Sequence, residues 1–192
     1  EIDALDGLMA RVIDRAGIHY KILNKSKGAA VWGPRAQADR KLYKKAMQDI
    51  LLNYPNLTII EDTAEDISIE NNRVTKLITA SGNNIACGAI VITTGTFLRG
   101  VIHIGDKQIK AGRMGEKPVV KLARRLEETG LNMGRLKTGT PPRLDGRSIN
   151  WQILEEQPGD KVPVPFSYLN RHIDVPQIKC YITHTNEDTH QI

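Results

Sequence analysis

Aromatic residues make up only 5% of this 192-residue sequence, cysteine occurs twice, and no apolar stretch approaches the length of a membrane span. Each scarcity excludes something. Cys87 and Cys180 are too few for a disulfide framework or a zinc site, so a reducing cytosol is the default. Few aromatics and no recognisable RNA-binding motif argue against a small module that stacks bases as its whole function. No charged-then-apolar segment opens the chain as a secretory signal would. The Gly-rich G-x-G-x-x-G fingerprint of dinucleotide-binding folds is also missing.

What is present is ordinary globular composition, 40% hydrophobic and 26% charged, enough for one full domain or one and a part. The net charge of +5 and pI near 9.2 fit a polyanionic partner, and a solvated basic face fits them as well. The chain begins at Glu1 inside an amphipathic pattern and runs on through Thr183-His184-Thr185-Asn186-Glu187, so it reads as a piece of something longer.

Leu5, Leu8, Met9, Val12, Ile13 and Ala16 recur at helical spacing, which predicts a first helix closed by Gly17. Ile18–Leu23 reads as a short extended piece, 24–35 as a polar loop and 38–53 as a second helix ended by Tyr54-Pro55-Asn56. Strand signals follow at 57–60, 64–69 and 74–79, with turns at Asn71-Asn72 and Ser81-Gly82-Asn83. A third helix is expected from Val119 to Glu128, with Gly130 at its end.

The most informative segment is 88–100, GAIVITTGTFLRG. Ala89-Ile90-Val91-Ile92 is a continuous apolar run of the kind buried on both faces of a parallel sheet. Thr93-Thr94-Gly95-Thr96 then offers a tight exit of small residues, where backbone could lie against a nucleotide beyond a strand end. An ordinary buried strand ending in a glycine turn reads equally well from these residues. The segment 134–143, GRLKTGTPPR, packs Arg135, Lys137 and Arg143 between glycines and prolines. Such cations can meet phosphates at little ordering cost, or form a merely solvated basic loop.

Ser26-Lys27-Gly28, Arg35-Ala36-Gln37-Ala38-Asp39-Arg40, TTGTFLRG, His103-Ile104-Gly105, GRLKTGTPPR and the 180–186 stretch CYITHTN occur in that order. Together they resemble the MnmG (GidA) family of tRNA-modifying flavoproteins over essentially the whole chain. The resemblance implies an α/β fold: part of a two-dinucleotide-binding FAD domain, a parallel sheet with an antiparallel meander. It implies that residues 1–140 are the central part of that FAD domain, and that residues 141–192 begin an inserted nicotinamide or substrate domain.

It further implies addition of a carboxymethylaminomethyl or aminomethyl group at C5 of wobble uridine 34, with FAD, NADH and methylenetetrahydrofolate as one-carbon donor. The GTPase MnmE and tRNA would be partners, the assembly a homodimer within a heterotetramer and no membrane involved. The location would be bacterial cytoplasm or mitochondrial matrix. A metabolite flavin oxidoreductase of the same fold is the competing reading.

For individual residues, the resemblance places Thr94, Gly95 and Thr96 against the flavin, Ala64 near its adenine end, and Val119 in the same cofactor set. Arg135, Lys137, Arg143 and Arg113 become the tRNA-binding candidates, with a surface ion pair as the other reading of Arg113. The family's catalytic cysteines fall outside this chain. Cys180 belongs to CYITHTN and reads as a structural or pocket-lining thiol.

Overall fold

The computed structural model describes residues 1–191 as an α/β chain in two compact units. Glu1–Thr58 packs with the described residues from Pro142 on, and Ile59–Pro141 forms the second unit. The sequence signals a single boundary near 140. The chain also crosses between units at Thr58, so the residues beyond 141 group with the N-terminal segment.

In the first unit, helix α1 (Met9–Asp14) is shorter than its hydrophobic spacing suggests, because Asp3–Leu5 forms a separate 3-10 turn ended by Asp6 at φ +62°. Val12 and Ala16 are fully buried, whereas Leu5 is 84% exposed. Strand β1 (Gly17–Leu23) pairs antiparallel with β2 (Gly33–Ala38), with Lys21 opposite Arg35. The strand takes residues 33–35 from the region read as a polar loop and Ala38 from the start of the expected second helix, because β1 offers them a partner. Asp39 caps α2 (Arg40–Leu51), its carboxylate accepting from the Lys41 amide at 2.8 Å and the Leu42 amide at 3.0 Å.

The distal segment lies across β1. The Ile178 amide donates to the Ile18 carbonyl and the Asp160 amide to the Tyr20 carbonyl, both at 2.8 Å. Asp14, 5% exposed, accepts from the amides of Phe166 (2.8 Å) and Ser167 (2.9 Å) and from Asn170 Nδ2 (2.8 Å). Asp3 accepts from the Ser167 hydroxyl and the Tyr168 amide, which hold its carboxyl below the usual range. Burial, then the neighbouring Asp14, pushes the Tyr20 phenol up. Strands β8 (Glu155–Gln157) and β9 (Cys180–Ile182) and helix α4 (Glu187–Gln191) complete this unit.

The second unit opens with a three-stranded antiparallel meander, β3 (Ala64–Glu70), β4 (Arg73–Thr79) and β5 (Asn84–Ala86). Asn71 and Asn72 both take positive φ, 51° and 60°, as a two-residue hairpin with right-handed strand twist requires. A second hairpin, β6 (Val101–Ile104) and β7 (Lys107–Lys110), was not signalled by alternation. Helix α3 (Lys121–Glu128) lays Leu122 and Leu126 on Ile67 of β3, with Val119 in the same core cluster. Arg125 reaches Asp66 across this contact. Burial pushes Asp66 up, but the guanidinium and the Ile67 amide outweigh it and hold the carboxyl low.

Three expectations are corrected. Residues 57–60 form no strand, and Ile59 and Ile60 are more than half exposed. The run at 89–93 is not a strand either: Val91 is 88% exposed and Ile92 37%. Among the described residues no strand flanks that run, and a doubly buried strand exists only between partners. Among the described residues all four sheets are antiparallel and parallel pairing is limited to the Leu98–Val119 bridge, so the expected antiparallel meander forms there and the expected parallel sheet does not.

Candidate functional site

The turn at Thr94–Phe97 is built from its sequence. The Phe97 amide donates to the Thr94 carbonyl at 3.1 Å, and Gly95 takes φ +54° while Thr96 stays on the ordinary side. A left-handed turn position favours glycine. A Cβ added at Gly95 would meet no atom within 4 Å, so the turn faces open space.

Three neighbours fix it. The Thr96 hydroxyl donates to the Gly112 carbonyl at 2.6 Å. The Val119 amide donates to the Phe97 carbonyl, and the Val119 carbonyl accepts from the Arg99 amide, each at 2.9 Å. Gly100 follows where any Cβ would overlap the carbonyl oxygens of Thr96 and Ala111. The Ala111 amide then closes on the Gly100 carbonyl at 3.0 Å, so the β6–β7 hairpin returns the chain to the turn. Gly100 and Gly112 support the site but were not singled out from sequence. The pairing that needs them closes only in the fold.

Thr94, Gly95 and Thr96 thus share one exposed, braced turn. Ala64 is half-buried and packs against the Ile67–Leu122 cluster together with Phe97 and Leu98. Val119 is 6% exposed with its side chain inside that cluster and both backbone polar groups engaged. It supports the turn from beneath and has no free group to offer outward.

The expected cations are dispersed. Arg113 forms an ion pair with Glu116, Nε to Oε1 3.1 Å, in a local bridge. Arg135 donates through Nη2 to the Arg99 carbonyl at 3.2 Å. Lys137 lies on an exposed stretch without helix or strand. Arg143 is exposed and belongs to the first unit. Cys180 is half-buried, with its Sγ accepting from Gln37 Nε2 at 3.1 Å.

A second feature, in the first unit, escaped the sequence reading. A cleft of about 400 Å³ is lined by Tyr20, Trp32, Arg35, Asp160, Phe166 and Tyr168. Its walls come from segments more than a hundred residues apart, so no local motif announces it. Among the described residues no cluster of His, Cys, Asp and Glu is arranged to hold a metal, and no helix is long and apolar enough to cross a membrane.

Comparison with known proteins agrees with this architecture. Two crystal forms of Aquifex aeolicus GidA superpose with TM-scores of 0.90 and 0.91 at 43% identity, covering 99% of this chain and 33% of those chains. The tRNA uridine 5-carboxymethylaminomethyl modification enzyme MnmG of Granulibacter bethesdensis is 60% identical, and that of Thermodesulfovibrio yellowstonii 53%. Both matches cover all of this chain, which spans 31% of the length of each relative. The sequence family described as Glucose inhibited division protein A matches residues 1–192. The chain belongs to that family.

Proposed function

We propose that the protein acts as the FAD-binding subunit of a tRNA wobble-uridine modifying enzyme, adding a carboxymethylaminomethyl or aminomethyl group at C5 of uridine 34. The observation that carries this reading is the likeness, over the whole chain, to relatives named for that modification. The Thr94–Thr96 turn supports it independently. Its small residues face open space at Gly95, where the turn's backbone can approach a flat cofactor. These residues would hold the flavin edge, with Ala64 near the adenine end. Bound FAD would supply the redox chemistry, and this chain's part is to position it through a rigid turn.

Val119 acts in this reading only through the backbone it fixes. NADH as reductant, methylenetetrahydrofolate as one-carbon donor, MnmE as GTPase partner and a homodimer within a heterotetramer complete the proposal. So do a cytoplasmic or mitochondrial location, residues 1–140 as the central FAD-domain part and residues 141–192 as the start of an inserted domain. Arg135, Lys137, Arg143 and Arg113 would meet tRNA phosphates, Arg113 with its guanidinium already shared with Glu116.

The test is complementation. The full-length protein, expressed in cells lacking their own family member, should purify with bound flavin and restore C5-modified uridine 34 in digested tRNA. A flavin-loaded protein that restores no modification and binds no tRNA would favour a metabolite oxidoreductase of the same fold.

A further inference from the structure

The net charge of +5 conceals a strong segregation. Residues 15–45 carry nine Lys and Arg against the single carboxylate Asp39, a net of +8, and the remaining residues together carry −3. This stretch runs from the C-cap of α1 through β1, β2 and the turns between them into the first half of α2, so its charge is contiguous in sequence. Of the nine cations, only Lys45 has a carboxylate within ion-pair distance among the described residues, namely Asp49.

The fold accepts repulsion to place these charges. Lys21 and Arg35 sit directly opposite each other in the β1–β2 register, a like-charged cross-strand pair. Arg40 with Lys44, and Lys41 with Lys45, repeat at i,i+4 along α2. Arg40 and Lys41 stand in its first turn, with the N-cap Asp39 as the one carboxylate at that end. Arg35 Nε is buried without a hydrogen-bond partner. Like-charge repulsion and an orphaned guanidinium nitrogen are both relieved by one kind of occupant, a chain of phosphates.

The cleft of about 400 Å³ opens from this same element, with Lys21 and Arg35 among its walls beside Trp32 and Tyr168. Trp32 is 46% exposed and Tyr168 98% exposed, so flat rings face solvent next to cations that no carboxylate neutralises. Asp160 is also in the wall, one oxygen accepting from the Ile22 amide at 2.9 Å. Cations that track a backbone beside aromatics that stack bases are how single-stranded nucleic acid is held.

We propose that β1, β2 and the N-terminal half of α2 form an electropositive face that binds the phosphate backbone of RNA, the cleft receiving one unpaired base against Tyr168 and Trp32. This surface is distinct from the 134–143 segment, and the inference rests on the tRNA-modifying reading above.

The test uses the full-length protein and unmodified tRNA, with binding followed by fluorescence anisotropy over a range of NaCl concentrations. Lys25→Gln, Lys27→Gln, Lys41→Gln and Lys44→Gln combined should weaken binding at least tenfold at moderate salt. The log–log salt slope should fall by about three units, since each neutralised phosphate contributes roughly 0.7–0.9. The melting temperature should hold or rise, because like-charge repulsion is relieved. Tyr168→Ala should weaken binding about fivefold or more with the slope unchanged, as stacking releases no counterion.

If the unsubstituted protein binds no tRNA, the functional reading falls and takes this face with it. If it binds and the fourfold variant shows the same affinity and slope, only the face is overturned. Weakened binding that merely tracks a lowered melting temperature overturns it too. An unchanged Tyr168→Ala affinity removes the cleft from the surface.

Discussion

The Thr96 hydroxyl donates to the carbonyl oxygen of Gly112 at 2.6 Å, tying two loops sixteen residues apart. This bond locks the turn's far side while Gly95 keeps its near side free of atoms. The turn is therefore rigid and bare at once, which suits a surface that must meet a flat ligand without rearranging.

Gly95→Val in the full-length protein should strip it of FAD. A β-branched residue is strained at φ +54° and fills the open side of the turn. Flavin absorbance per mole of purified protein measures this, and unchanged stoichiometry would remove Thr94–Thr96 from the site. Gly95→Asn, which tolerates the left-handed region better, should lose less.

Val119→Ala should destabilise the protein by about 2 kcal/mol through two deleted buried carbons and an incomplete collapse around them. Because the side chain points into the core, FAD per folded molecule should stay constant. A fall in flavin content without a fall in the denaturation midpoint would instead give Val119 a direct cofactor role.

Replacing Arg135, Lys137 and Arg143 together by Ala should weaken tRNA binding and flatten its salt dependence by roughly one unit for each phosphate left unneutralised. Arg135 donates to the Arg99 carbonyl, so its share should be the smallest of the three. Flavin content should be normal. Equal affinity and slope would identify these cations as solvated only.

Asp14→Ala leaves the amides of Phe166 and Ser167 and the Asn170 side chain without their acceptor. A loss of about 3 kcal/mol is expected, since each buried donor left unpaired costs roughly 1–3 kcal/mol. Urea denaturation checks it. A loss under about 1 kcal/mol would show that water replaces the carboxylate.

Asp62 gives a pH signature. Hydrogen bonds from Ser81 and Thr79 hydroxyls and the Thr63 amide lower its carboxyl from 3.8 to about 2. A depressed folded value means the stabilisation is complete above about pH 4 and is lost as pH falls through about 2. Carboxyl carbon NMR titration should find the low midpoint, and Ser81→Ala should raise it toward the ordinary value.

Local signals in the sequence translated well. Asn71-Asn72 between β3 and β4 and Gly130 after α3 each act within a few residues, and each is found as expected, whereas Asp39, read as inside the second helix, caps it instead. Elements that depend on remote partners did not translate. Residues 33–35 read as loop and Ala38 as helix because their strand character comes from β1, and the apolar run at 89–93 reads as a strand whose flanking partners are absent from the described chain. The β6–β7 hairpin carried a legible cue in Gly105-Asp106 that alternation alone does not reveal. At the site, the small residues of 94–96 were legible by type. The inward position of Val119 and the Arg113–Glu116 pairing depend on neighbours that only the fold supplies.

The first unit's two halves are separated by the whole of Ile59–Pro141, and this orders events during translation. On a ribosome adding 5–20 residues per second, roughly 4–17 s pass between emergence of residue 58 and of residue 142. Throughout that interval β1 has its β2 partner but not the strap that covers it, and Asp14 has no amides to receive. The second unit, continuous in sequence, can close first. The nascent chain therefore waits with its most basic segment uncovered, a period in which RNA or a chaperone has first access to it.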